Sequence, residues 1–256
     1  MGLDWCLKDK TVDGQEHNLA FAEAHCERIN KEIDNAYESY LEEVGAERPN
    51  FFPNEITEKF RETPEFIKLH MELSRWVLVR ETATISPLQT IGCPAIGVDE
   101  EATEWARNYY NEIKEEFEAS KRQGKPSKSH ENFLRKFRTV QDYIEENKGM
   151  YVAQLAKNKE GLGSVTGIAV GPESFRGKVL RFMTWLDPDL VDESYENHDP
   201  PELEDYGQRL LEAAKEREAD LSNPSEEELE ELTVLKDAAA WCIFWGKNGH
   251  AMHAWY

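Results

Sequence analysis

Residues 225–256 read SEEELEELTVLKDAAAWCIFWGKNGHAMHAWY, and this stretch decides the fold. Ser225 followed by Glu228 is a capping-box pattern, which predicts that a helix begins there. The helix starts amphipathic, with leucines at three- and four-residue spacing, and becomes almost wholly apolar from Ala238 to Trp245. A helix that loses its polar face enters a hydrophobic core, so we expect its last turns to be buried.

The aromatic side chains after this helix are expected to be buried away from water, and so are those at the start of the chain. Trp5 and Trp255 lie in short segments that alternate weakly, which is typical of strands. We therefore expect residues 3–7 and 251–256 to pair as two short strands against the apolar end of the last helix. Such a pair is marginal in water without a helix or a third strand beneath it.

Working outward, the remaining chain shows further helical stripes. Residues 16–44 carry apolar side chains at helical spacing, and Gly45 follows as a C-cap. Other starts are predicted where a capping residue precedes a proline or an acidic first turn: Thr63-Pro64, Asp99, Ser129 and Asp199-Pro200. The second half of the helix that starts at Thr63, from Trp76 to Val79, is apolar on all sides, so we expect it to be deeply buried.

Residues 161–185 differ in character, being rich in glycine and β-branched residues. They predict one or two strands, at 165–170 and 179–182. The whole chain is therefore expected to be α+β and predominantly helical, with about six helices and a small sheet formed by the termini and residues 161–185. No linker divides it, so a single domain over residues 1–256 is predicted.

The charge of the protein is strongly acidic but unevenly distributed. The net charge is −21, which repels nucleic acid and makes it an improbable partner. Residues 121–185 carry 13 Lys and Arg against 6 Asp and Glu, a net charge of +7. Two interpretations stay open: a solvated surface paired with acidic neighbours, or a surface that binds a phosphate-bearing ligand, at 121–181.

Within this basic part, residues 171–178 (GPESFRGK) resemble a phosphate loop but have five residues between the glycines instead of four. A looser anion site remains possible, since glycines let backbone amides approach a ligand closely. Its candidate donors are Lys159, Ser174, Arg176, Lys178 and Arg181.

The C-terminal segment supplies a second set of candidates, for a pocket wall or a partner-binding patch. They are Asp4, Lys247, Asn248, His250, His253 and Trp255. His250 and His253 could offer two imidazoles to one metal in a helix, but a strand separates them and no third ligand is evident. We therefore predict neither a metal nor a cofactor.

The sequence contains no run of about 20 apolar residues that would cross a bilayer. It shows no signal-peptide pattern, and its four cysteines are widely spaced, as reduced thiols are. A cytoplasmic protein without membrane contact is expected. Because no catalytic motif is evident, the first hypothesis is a binding protein with a protein partner. The alternative is an enzyme or binder acting on a phosphorylated small molecule or nucleotide through residues 157–181.

The two ends of the chain resemble phage proteins of uncharacterised activity. The matching segments are MGLDW at the start and the pattern W-G-K-N-G-H-x-x-H-A-W at residues 245–255, although the spacing of the second departs from the phage pattern. The resemblance covers only the two ends. It implies a viral or mobile-element origin, with the host cytoplasm as location, and no activity.

Overall fold

The computed structural model describes residues 4–49, 54–158, 180 and 183–255. Over these residues it contains ten α-helices, more than the six predicted, and four short strands. The strands are β1 (Asp4–Leu7), β2 (Lys10–Thr11), β3 (Thr84–Ile85) and β4 (Met252–Trp255). The helices are α1 (Glu16–Val44), α2 (Glu55–Arg61), α3 (Pro64–Ala83), α4 (Pro87–Thr90), α5 (Glu100–Arg122), α6 (Lys128–Lys136), α7 (Val140–Glu146), α8 (Pro188–Glu193), α9 (Pro200–Asp220) and α10 (Glu226–Lys247).

The chain divides into two compact units. The hairpin unit comprises residues Asp9–Ile85, and the main unit comprises Met1–Lys8 together with Ser86–Tyr256. Each is described by itself.

The hairpin unit is built from α1 and α3, which pack along each other, with α2 between them in sequence. The predicted ends are confirmed. Gly45 ends α1 in the left-handed conformation, and the Thr63 hydroxyl accepts a hydrogen bond from the Phe66 amide at the start of α3. The unit has its own apolar core, which includes Ile29, Tyr37, Leu41, Phe60 and Leu69. The strands β2 and β3 pair in antiparallel fashion at its two chain ends.

In the main unit, α9 and α10 pack most closely. The predicted helix starts at Asp199 and Ser225 are confirmed, and the capping box predicted at Ser225 is present. The helices approach at Gly207 and Gly246, where a Cβ would lie within 2.8 Å of Ile243 N and 2.6 Å of Pro200 O, respectively. Backbone thus meets backbone, and the buried stripe of α9 packs directly on α10.

The terminal sheet is confirmed as predicted. β1 and β4 pair in antiparallel register, with Trp5 opposite Ala254 and Leu7 opposite Met252. Trp5 is fully buried against the main core and its indole N–H donates to Ser194 O at 2.8 Å. Burial of Met252 and Ala254 fixes which face of β4 meets the core.

A second core lies under α5, α6 and α7. The single helix predicted from Ser129 is two, because Phe137 leaves helical geometry and Thr139 starts α7 with a capping box to Asp142. Asp99 does precede α5 as predicted, but its carboxylate accepts from the Ala95 amide instead of capping the helix.

The strands expected at residues 161–185 fall mainly on 159–179 and 181–182, which lie outside the described residues. Leu180, expected in a strand, is helical and fully buried. Both sheets seen in the described chain have two strands, one joining the termini and one in the hairpin unit. None of the helices in that part of the chain could span a bilayer.

Candidate functional site

The first group of candidate residues is not in the described part of the chain. Lys159, Ser174, Arg176, Lys178 and Arg181 all fall within residues 159–179 and 181–182. The anion site at 157–181 therefore stays a prediction.

His250, from the C-terminal group, lies in the core of the main unit. It is fully buried, and its ring meets that of Trp245 edge-on at 5.2 Å between centroids. Its Nδ1 donates to the Lys8 carbonyl at 2.8 Å, and its Nε2 lies 2.7 Å from the Thr90 hydroxyl. These contacts connect Lys8, which follows β1, with Thr90 at the end of α4. His250 therefore stabilises the packing of these two segments.

The other C-terminal candidates are spread over separate surroundings. His253 lies opposite Cys6 in the terminal sheet, and Asp4 lies opposite Trp255. The Lys247 ammonium lies 3.9 Å from Glu204, and the Asn248 amide donates to Phe244 O at the end of α10. No metal-binding group of three or more ligands occurs among the residues with described positions.

The basic segment 121–138 presents cations on α6 and its flanks. Lys121 and Lys136 pair with Glu118 and Glu146, each at 3.5 Å, and not with the acidic helices α9 and α10. The exposed cationic side chains of this segment without an ion pair in the described chain are Arg122, Lys125, Lys128, Arg135 and Arg138. Lys128 and Arg135 are seven positions apart and share one exposed side of α6.

A cavity of about 550 Å³ lies at the start of α8 in the main unit. The Arg217 guanidinium covers the Trp185 ring at 5.3 Å and donates to Glu228, while the Trp185 N–H donates to Glu231 at 2.7 Å. Glu228 and Glu231 both lie on α10. The hydrogen bond from Trp185 to Glu231 therefore links the segment before α8 to that helix.

The most unusual surface lies on α3, where a prediction is wrong. The turn from Trp76 to Val79 is not deeply buried: Leu78 is 61% exposed and Val79 is 36% exposed. Within the hairpin unit, α1 packs on the side of α3 that carries Leu69 and Leu73. Ile67 and Met71 are also exposed, at 47% and 58%. We call these four residues, Ile67, Met71, Leu78 and Val79, the outer face of α3.

A groove of about 810 Å³ runs along this outer face. The described residues that line it all belong to α3, and they are Pro64, Ile67, Lys68, Met71, Glu72, Arg75, Trp76 and Val79. Trp76 forms its fixed edge, because the indole stacks on the His25 ring at 4.1 Å with an angle of 6° between planes. Phe21, half-exposed on α1, meets the Trp76 ring edge-on at 5.4 Å and extends the apolar surface.

The charges in the groove are not balanced. Glu72 is engaged by Arg28 of α1 at 2.7 Å, and Arg28 also binds Glu32. Hydrogen bonds to Glu72 and then Glu32 raise the pKa of the Arg28 guanidinium. Lys68 and Arg75 form no ion pair within the described chain. The groove lining thus contains two cations without an ion pair and one carboxylate, Glu72, that is bound by Arg28.

The outer face of α3 was not predicted, because only one of the two apolar stripes of this helix was recognised in the sequence. The stripe found, with Phe66, Leu69 and Leu73, packs on α1. A second stripe runs through Ile67, Met71, Ser74 and Leu78 at spacings of four, three and four residues. That spacing is typical of the contact seam between two paired helices, and it was available in the sequence. Comparisons with models of protein families, with curated proteins and with solved structures find no match to this chain.

Proposed function

We propose that this protein is an interaction protein that binds a helical segment of a partner protein on the outer face of α3. The observation that carries the proposal is the exposure of Ile67, Met71 and Val79, three apolar residues that line one groove on α3. Soluble proteins leave isolated apolar side chains in water, but a contiguous apolar patch with a groove marks a binding surface. The first hypothesis from the sequence, a protein with a protein partner, is supported in this form.

The shape of the surface favours a helix as the bound element. The stripe repeats at helix–helix spacing, and Ser74 within it satisfies its hydroxyl by donating to His70 O at 2.8 Å. From Ile67 to Val79 the groove extends about 18 Å at 1.5 Å per residue, which matches about three turns of a partner helix. Amphipathic helices bind such grooves through side chains at three- and four-residue spacing.

The test uses a synthetic helical peptide of three turns with a leucine seam at that spacing and uncharged polar residues elsewhere. Isothermal titration calorimetry should detect its binding, and a scrambled peptide of the same composition should not bind. Met71→Lys should weaken binding at least about tenfold, because a charge would enter the apolar contact. Met150→Lys is the matched control, since Met150 is 55% exposed but lies in the main unit.

A peptide that binds the Met71→Lys variant as tightly as the unmodified protein would contradict the proposal. So would equal binding of the seam peptide and its scrambled form.

A second candidate function is binding of a phosphate-bearing ligand by the basic segment 121–138. It is favoured by the five exposed cations of this segment that have no ion pair in the described chain. Such binding would be electrostatic and would weaken steeply with salt. Fluorescence anisotropy of a labelled polyphosphate at 20 and 200 mM salt tests it, with the Lys128→Glu, Arg135→Glu double variant as the control.

A further inference from the structure

Resting on that proposed function, we infer that the partner helix carries carboxylates seven residues apart, which lie over Lys68 and Arg75. The outer face of α3 therefore selects an acidic amphipathic helix.

The positions of the two cations define the spacing. Lys68 and Arg75 are seven residues apart and both line the groove, so they lie on one side of α3 about two turns apart. Two helical turns span about 10.5 Å, and the same seven-residue spacing on a partner helix repeats that distance. A row of Glu or Asp at this interval faces both cations at once.

The neighbouring carboxylate does not neutralise them. Glu72 lies between the two cations in sequence, but the Arg28 guanidinium holds it at 2.7 Å from the α1 side. Lys68 and Arg75 are both exposed, and such long side chains can cover apolar surface with their stems while their charged ends stay in water. Unpaired cations beside an apolar contact favour a partner of opposite charge and disfavour one of like charge.

The same charges argue against a second copy of this chain as occupant. In an antiparallel pair of outer faces related by a two-fold axis, each edge meets the same edge of the other copy. Lys68 of one chain would then face Arg75 of its copy. Like charges at such an edge disfavour the pairing, so the groove fits another protein better than itself.

The experiment compares three peptides with one leucine seam and different residues at two edge positions seven apart: Glu, Gln or Lys. We expect calorimetry to show the Glu peptide binding at least about fivefold more tightly than the Gln peptide, and the Lys peptide more weakly still. The difference should shrink between 20 and 500 mM salt, because ions screen the exposed charges.

A charge exchange makes the assignment specific. The Lys68→Glu, Arg75→Glu double variant should reverse the order, so that the Lys peptide binds best. The Lys114→Glu, Lys215→Glu double variant is the control, since it makes the same change of net charge at two exposed cations of the main unit. The control should keep the original order, and circular dichroism should show unchanged helix content in both variants.

The outcomes separate the two proposals. If the three peptides bind equally to the unmodified protein, the acidic-partner inference is overturned and the docking function stands. If none binds, the docking function is overturned, and the inference with it. If the control variant also reverses the order, the effect belongs to net charge and the assignment to Lys68 and Arg75 is wrong.

Discussion

The Nε2 atom of His250 lies 2.7 Å from the hydroxyl oxygen of Thr90, although the two residues are 160 positions apart. Because Nδ1 donates its proton to the Lys8 carbonyl, the neutral ring has a lone pair at Nε2 that accepts from Thr90. Both contacts are inside the main unit. They use the imidazole as a bridge between α4 and the chain that follows β1.

Replacing this ring is expected to weaken the fold. His250→Ala leaves a cavity and removes partners from two polar groups, so the free energy of unfolding should fall by roughly 2–4 kcal/mol. His253→Ala is the control, since His253 is only half-buried and should lose less than half as much. Urea denaturation followed by circular dichroism measures both. Equal losses would show that His250 has no special structural role.

The ion pair between Glu193 and Arg209 joins α8 to α9 and should make stability depend on pH. The bidentate Arg209 guanidinium, with one contact at 2.6 Å, lowers the pKa of Glu193 from its ordinary value of 4.5. Burial of the carboxylate opposes this effect, but the hydrogen bonds to Arg209 dominate.

The sign follows from linkage. A pKa lower in the folded than in the unfolded state contributes stability that is present above pH 4.5 and is lost as the pH falls through the folded value. Glu193→Gln should cost roughly 1–3 kcal/mol at pH 7, and its melting temperature should fall less on acidification than that of the unmodified protein. The control is Glu55→Gln, which removes the carboxylate of an exposed ion pair with Lys59. Parallel pH profiles for Glu193→Gln and the unmodified protein would refute the assignment.

The close approach of α9 and α10 makes another prediction. An alanine ordinarily stabilises a helix interior relative to glycine by about 1 kcal/mol. At Gly207 or Gly246 the added Cβ would meet backbone atoms at 2.6–2.9 Å, which cannot move aside. Each alanine variant should therefore lower stability, by roughly 1–3 kcal/mol. Thermal melts check this, and a gain in melting temperature would contradict the packing.

Gly45→Ala supplies the contrast to those variants. Gly45 has φ of 64° and no atom within 4 Å of an added Cβ, so its substitution costs backbone strain alone, about 1–2 kcal/mol.

Reversing charges in the basic segment should leave the fold nearly unchanged. Lys128, Arg135 and Arg138 are exposed and have no ion pair in the described chain, so a change to Glu breaks no contact there. Each substitution should alter the unfolding free energy by less than about 0.5 kcal/mol. Differential scanning calorimetry of the triple variant measures the effect. A large loss of stability would show that these cations support the fold instead of facing a ligand.

The helices could be predicted where local chemistry determines them. Thr63 and Ser225 place their helix starts because their side chains cap the next turn, whatever the rest of the chain does. The terminal strands could be predicted because Trp5 needs burial and the apolar end of α10 offers it, with Trp241 at 5.9 Å from the Trp5 ring. The break between α6 and α7 was missed, since Phe137 has the spacing of a continuing helix.

The candidate site could not be predicted in the same way. Apolar spacing on α3 shows that Leu73 and Leu78 face different directions, but not which direction α1 occupies. That depends on packing between elements distant in sequence. The imbalance of charge at Lys68 and Arg75 likewise depends on Arg28, which is 44 positions away from Glu72.

The pairing of β2 with β3 has a consequence for how this chain is put together. Lys10 lies opposite Ile85 and Thr11 opposite Thr84, so the two chain ends of the hairpin unit are adjacent. The residues between these two strands form a compact unit with its own core, and this unit contains the whole outer face of α3. Residues 9–85 are thus a cassette, which could be grafted into a surface loop of an unrelated scaffold by joining two adjacent chain ends. The outer face of α3 would be carried with these residues, without the main unit.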